Sequence, residues 1–100
     1  MKRTIYAIGE TVYDIIFQHG QIQTGRVGGS VLNTSVSLGR LGYEVSLVSE
    51  VGNDDLGQLV IDFLEKNRVN TGFIDRYNEG KTPVAFAFLD EQKNAHYTFL

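Results

Sequence analysis

Cysteine is absent from this chain, which removes disulfides and thiolate metal sites from consideration, and the two histidines stand far apart in sequence. No pattern of metal ligands remains. Basic charge is also scarce. Nine Lys and Arg face twelve Asp and Glu, for a formal net charge of −3, so the basic footprint of a nucleic-acid binder is missing. No apolar run approaches the length a bilayer crossing needs. The start Met1-Lys2-Arg3-Thr4-Ile5 leads into a strand-like segment without the apolar core or small-residue cleavage site of a secretory leader. A soluble, cytoplasmic protein with neither membrane nor nucleic-acid partner is therefore expected. Asn33-Thr34-Ser35 matches a glycosylation sequon, a pattern without consequence where there is no secretion.

The chain does hold enough apolar material for a core. Of its 100 residues, 42% are hydrophobic and 11% aromatic, which suits an ordinary folded domain rather than a disordered segment. Thr4 to Gly9 is apolar and β-branched or aromatic, as in a buried strand closed by a glycine turn. Thr11 to Gln18 and Gln21 to Arg26 flank His19-Gly20 and suggest a hairpin. After Gly29 an amphipathic helix is expected, with Leu32 and Val36 on one stripe, Val31, Leu38 and Leu41 beside it, and Gly42 at its close. Glu44 to Val51 reads as a strand centred on Val45, Leu47 and Val48.

A second helix has the clearest periodicity, because Leu56, Leu59, Val60, Phe63 and Leu64 fall at i, i+3, i+4, i+7 and i+8. Asp54 or Asp55 can cap it, Gln58 stands three residues after Asp55 as a capping box requires, and Lys66 and Arg68 suit its negative end. Gly72 to Arg76 is a short strand. This alternation of strand and helix implies right-handed crossovers and a mainly parallel sheet. Pro83 to Leu89 and Ala95 to Leu100 then form a second hairpin around Asp90-Glu91-Gln92-Lys93-Asn94. In it Val84, Phe86 and Phe88 share one face, and Ala85, Ala87 and Leu89 the other. The apolar end Tyr97-Thr98-Phe99-Leu100 suggests the front of a longer protein.

The most specific feature is Gly28-Gly29-Ser30-Val31-Leu32-Asn33-Thr34-Ser35. A glycine pair at a helix entrance leaves backbone N–H groups uncovered, so a polar ligand can approach them closely. Asn33 follows Gly29 by four positions, Ser35 is small, and Gly42 and Gly52 continue the spacing. Asp14 lies upstream, beyond Gly9-Glu10. Two other motifs fail. Gly80-Lys81-Thr82 looks like the tail of a phosphate-binding P-loop, but Asp75 occupies the required earlier glycine position and no helix follows. Glu50 at a strand end suggests a dinucleotide fold, yet Gly9-Glu10-Thr11-Val12-Tyr13-Asp14 lacks the Gly-x-Gly-x-x-Gly turn.

The glycine-pair spacing, with Asp14, resembles the first signature of the ribokinase-type (PfkB) carbohydrate kinases. The resemblance covers all hundred residues in family order, and the short first hairpin with its Gly-Glu-x-x-x-Asp start is most similar to bacterial fructokinases. Val31 departs from it, standing where the family usually has a small residue or proline. The resemblance implies an α/β fold of ribokinase-like type: a Rossmann-like, mainly parallel sheet with crossover helices, plus a small antiparallel β lid from strands at about 11–26 and 83–100. Residues 1–100 would be the N-terminal part of one such domain, with the ATP-binding part outside this chain.

The same resemblance implies the site. Asp14 would accept hydrogen bonds from two sugar hydroxyls, Gly28 and Gly29 would form the backbone platform, and Asn33 would complete the hydroxyl network with its amide. Ala85 would face the sugar from the lid, and Phe99 would be an apolar wall. Gly52-Asn53-Asp54-Asp55-Leu56-Gly57 resembles the family's Gly-x-Asp-x-x-Gly turn, with a structural role. The catalytic aspartate of the family sits in a Gly-Ala-Gly-Asp motif that this sequence lacks, so these residues alone are expected to be inactive. ATP and Mg²⁺ would bind mainly elsewhere, and the lid would offer a homodimer surface. Fructose is the first expectation for the sugar; ribose, 2-keto-3-deoxygluconate and nucleosides stay open. The alternatives are a non-catalytic sugar-binding relative and a structural or interaction fragment.

Overall fold

The computed structural model describes residues 3–100. Its elements in chain order are β1 (Thr4–Ile8), β2 (Val12–Gln18), β3 (Gln21–Gly28), α1 (Ser30–Arg40), β4 (Glu44–Gly52), α2 (Asp55–Lys66), β5 (Val69–Asn70), β6 (Ile74–Tyr77), β7 (Val84–Leu89) and β8 (Ala95–Phe99). They form two sheets. The first is wholly parallel: β4 pairs with β1 over Glu44–Val48, with β5 at Val45 and Ser46, and with β6 over Ser49–Gly52. The strand expected over 72–76 is β6, and the two-residue β5, which was not expected, precedes it across Thr71-Gly72-Phe73.

One core joins this sheet to both helices. Leu32 and Val36 from α1, Val45, Leu47 and Val51 from β4, and Val60 and Leu64 from α2 are all buried, with Val69 and Ile74 closing the cluster. Side chains of this kind each contribute about 1.5–3 kcal/mol on full burial. β4 is the organising strand, since Val45, Leu47 and Val51 share one of its faces and pack in one core with both helices. The helix periodicity is slightly narrower than expected. Leu41 and Leu59 are exposed, while the small Ser35 and Gly39 are buried on α1, where they let it sit close to the sheet. Leu41 is the C-cap rather than a packed residue, and Gly42 follows at φ 94° as the turn that ends α1.

At the start of α2 one of the two expected caps is used, and the expected capping box is not. Asp54 is the N-cap, so Gly57, not Gln58, occupies the third helical position and no capping box forms. The Gln58 amide instead donates to Asp62, and its oxygen accepts from Arg76.

The two expected hairpins are present, and they merge. β2 pairs antiparallel with β3 and parallel with β7, and β7 pairs antiparallel with β8, giving a single four-stranded sheet in the order β3-β2-β7-β8. Parallel pairing of β2 and β7 joins segments about seventy residues apart, a contact that hydrophobic periodicity cannot announce. This second sheet stands off the core. The radius of gyration is 14.5 Å, against about 13 Å for a compact chain of this length.

The outer face of the second sheet is aromatic. Phe17 stacks on Phe88 at 4.9 Å and meets Phe86 edge-on at 5.3 Å between ring centroids. Ala85 and Ala87 occupy the inner face and are buried, so the expected alternation along β7 is observed.

Candidate functional site

The inner face of the second sheet carries a transverse row. Arg26 on β3 pairs with Asp14 on β2, Asp14 with Ala85 on β7, and Ala85 with Phe99 on β8. Directly paired residues project to the same side of a sheet, so these four side chains share one surface. The neighbouring row adds Tyr97, whose ring stacks on Phe99 at 6.1 Å.

The glycine pair faces this row. Gly28 ends β3 opposite Val12, and a Cβ there would be driven into the Asp14 carboxylate. Gly29 has φ 112°, and a Cβ on it would lie 2.7 Å from the carbonyl oxygen of Glu10. Only glycine therefore allows both the close carboxylate and the turn from sheet to helix. Gly29 is the N-cap of α1 and gives no side-chain cap, and the first turn holds no acidic residue. The first helical bond runs from Asn33 N–H to the Gly29 carbonyl at 2.9 Å, which leaves the preceding N–H groups without a helical partner. Thr34 and Ser35 bond back to the carbonyls of Ser30 and Val31. Asn33 makes no such local bond among the described residues.

Asp14, Gly28, Gly29, Asn33 and Phe99 all line one cavity of about 660 Å³, together with Arg26, Ser30, Phe63 and Tyr97. Ala85 does not. Its side chain is fully buried between Asp14 and Phe99, so it shapes the floor under them and cannot touch a ligand as expected. Arg26, Tyr97 and Phe63 were not anticipated. The i, i+2 spacing of Tyr97 and Phe99 was a readable signal for the second ring, whereas Arg26 depends on hairpin register and Phe63 on the packing of α2. Burial pushes the Asp14 carboxyl above the usual range, and the Arg26 charge opposes that in part.

The cavity continues sideways. A hollow lined by Glu10, Thr11, Val12, Gly29, Ser30, Pro83 and Phe99 leads to a third, of about 500 Å³, at the carboxyl ends of β1, β4 and β6. Thr11 and Ser49 line this trough, and their hydroxyls are buried without a hydrogen-bond partner among the described residues. Such ends of parallel strands are where open α/β sheets take ligands.

The joint between the two sheets is fastened at Asp54. Its Oδ1 accepts from Gly57 N–H at 2.8 Å and from the Thr82 hydroxyl at 2.6 Å, and its Oδ2 accepts from Thr82 N–H at 2.9 Å. The Thr82 hydroxyl in turn accepts from Gly52 N–H at 2.9 Å. These bonds hold the Asp54 carboxyl below the usual carboxylate range, the Thr82 hydroxyl being the largest cause. The Gly-x-Asp turn is therefore a cap and also an anchor for the strand entering the second sheet.

A family model described as pfkB family carbohydrate kinase matches residues 2–100. An uncharacterized sugar kinase of Pyrococcus horikoshii is 35% identical over 102 residues, covering 96% of this chain and 32% of the relative. The structure of Xylella fastidiosa fructokinase with bound ATP superposes with a TM-score of 0.88 at 31% identity, over 99% of this chain and 30% of that one. A nucleoside kinase of Methanocaldococcus jannaschii, an archaeal member of the ribokinase family, gives 0.79 at 30% identity, over 97% of this chain and 36% of that one. The chain spans about a third of the length of these relatives. Its fold is the ribokinase-like one.

Proposed function

The chain belongs to the pfkB family of carbohydrate kinases, and from that premise we propose that it is the sugar-binding N-terminal portion of an ATP-dependent kinase acting on a sugar hydroxyl. The observation that carries this is the convergence of Asp14, Gly28, Gly29, Asn33 and Phe99 on one cavity. Asp14 is acceptor-only when ionised, so two hydroxyls can donate to it. The Asn33 amide donates and accepts beside it, and the glycine platform lets the sugar approach the backbone. Tyr97 and Phe99 cover the apolar face of the ring.

The second sheet acts as the lid. Closed over a sugar, its inner face excludes water that competes as phosphoryl acceptor and orients the hydroxyl toward the trough at the strand ends. Phosphoryl transfer draws mainly on positioning and electrostatics, and this chain supplies the acceptor's share of both.

No group of three or more His, Asp and Glu among the described residues is placed to hold a metal ion, and the glycine pair belongs to the acceptor cavity. We assign the nucleotide, the metal and the catalytic aspartate to the part of the kinase beyond this chain. Fructose is the first candidate sugar, and the aromatic outer face at Phe17, Phe86 and Phe88 is the candidate homodimer contact.

The test is coupled ADP release from the complete kinase with a panel of sugars. Sugar-dependent ADP formation supports the reading. Thermal stabilisation by sugar without ADP formation would instead make it a binding relative, and indifference to both sugar and ATP would leave a structural module.

A further inference from the structure

At the end of α1 remote from the sugar cavity lies a second charged hollow. Arg40, Lys66, Asn67 and Arg68 line a space of about 270 Å³ where α1 and α2 finish beside one another. Gly39 permits that approach, since a Cβ on it would lie 2.6 Å from the Asn67 carbonyl oxygen. The eleven residues of α1, a length of about 16 Å, separate this hollow from Gly29, and the two cavities share no residue.

The polar groups of the hollow are held in place. Asn67 donates from Nδ2 to the Phe63 carbonyl at 2.8 Å and accepts on Oδ1 from Arg40 Nε at 2.8 Å. This fixes one edge of the Arg40 guanidinium and leaves its four terminal N–H without a partner among the described residues. No acidic residue lines the hollow. The Glu65 carboxylate, next to Lys66 in sequence, accepts instead from the Thr71 hydroxyl at 3.2 Å. The one ion pair among the described residues joins His19 to Glu91, so none of the three cations is neutralised by an acid.

One cation per helix end is ordinary, because it meets the negative end of a dipole. Two helix ends supply about one negative charge between them, against three positive side chains here. The last carbonyls of both helices are also met by the backbone N–H groups of Leu41 and Asn67. Arg68 is the cation in excess. It stands beyond α2 at φ 65°, in the left-handed region where a side chain brings strain and glycine would bring none. We propose that the hollow is an anion site whose ligand group is a phosphate. Two guanidinium forks and an ammonium around one space suit an oxyanion with oxygens for each, whereas a carboxylate fills a single fork. No apolar residue lines the hollow to hold the rest of a larger molecule. The phosphate therefore has two sources: the inorganic ion, or the monoester of a small polyol.

The experiment is isothermal titration calorimetry of the complete kinase with inorganic phosphate and with glycerol 3-phosphate, the ionic strength being held constant with sodium chloride. Saturable binding is expected, and it should weaken as salt rises. Arg68→Gly and Arg40→Gln are each expected to weaken it by about ten-fold or more. The probe that binds more tightly identifies the source. Arg68→Gly also relieves the left-handed backbone, so its unliganded Tm is expected to equal or exceed that of the natural protein, which separates loss of the site from loss of the fold. Phosphate bound elsewhere in the kinase would keep its affinity in both variants. An affinity unchanged in Arg68→Gly and Arg40→Gln, or no saturable binding of either probe, overturns the inference.

Discussion

At the scale of single residues, Asp14 bears the most. Replacing it by alanine removes a charged acceptor from two hydroxyls, which should weaken transition-state binding by about 2–4 kcal/mol; kcat/KM of the complete kinase would fall accordingly, and an unchanged value would remove Asp14 from the site. The pH dependence has a definite sign. Burial raises the Asp14 pKa from its ordinary 3.8, so the acid limb of kcat/KM should lie above the usual carboxylate range. Arg26 lowers that pKa, so Arg26→Gln should move the limb to still higher pH, and Asp14→Asn should abolish it. A pH–rate profile of the three proteins decides the matter. Gly28→Ala places a methyl group against the same carboxylate, and its expected result is a raised KM for sugar. Asp14, the glycine pair, Asn33 and Phe99, which line one cavity, had been singled out through the spacing that resembles the family signature. Ala85 was misread and Arg26 passed over because each depends on strand register, which single residues do not encode.

At the scale of elements, the joint at Thr82 has consequences of its own. Thr82→Val keeps the shape but strips a buried hydroxyl that serves Asp54 and Gly52 N–H, and should cost about 1–3 kcal/mol of stability, measurable by urea unfolding. Asp54 adds a pH term. Its folded pKa lies below the ordinary 3.8, so the stability it contributes is present above that value and is lost as pH falls through the lower folded pKa. Asp54→Asn should therefore flatten the fall of Tm with acidification below about pH 4; an unchanged slope would place the acid sensitivity elsewhere. The helices and β4 were legible because their periodicity is strong. The merging of two hairpins into one sheet was not, since the β2–β7 ladder joins distant segments whose pairing no local pattern reports. Which aspartate caps α2 had a subtler cause: Asp54 and Asp55 are equivalent by type, and the Thr82 and Gly57 donors settle on Asp54.

At the scale of the molecule, the chain presents one sheet covered by helices and one sheet standing free of the core. Tyr6, Ile8 and Phe73 are exposed on the parallel sheet, and Tyr6 meets Phe73 edge-on at 5.7 Å. With the chain spanning about a third of its relatives, we propose that further polypeptide of the same kinase covers that face, as it supplies the nucleotide site. The aromatic outer face of the lid belongs to this scale too. A homodimer through Phe17, Phe86 and Phe88 predicts a dimeric mass at micromolar concentration and a monomeric one for Phe86→Asp, and a monomer in both would dismiss the contact. The most direct measurement is ADP formation by the complete kinase with and without sugar, for the natural protein and for Asp14→Ala. The account predicts ADP release that requires a sugar and falls at least about thirty-fold in the variant, the equivalent of 2 kcal/mol. ADP release that ignores sugar, or that survives loss of Asp14 at full rate, would contradict it.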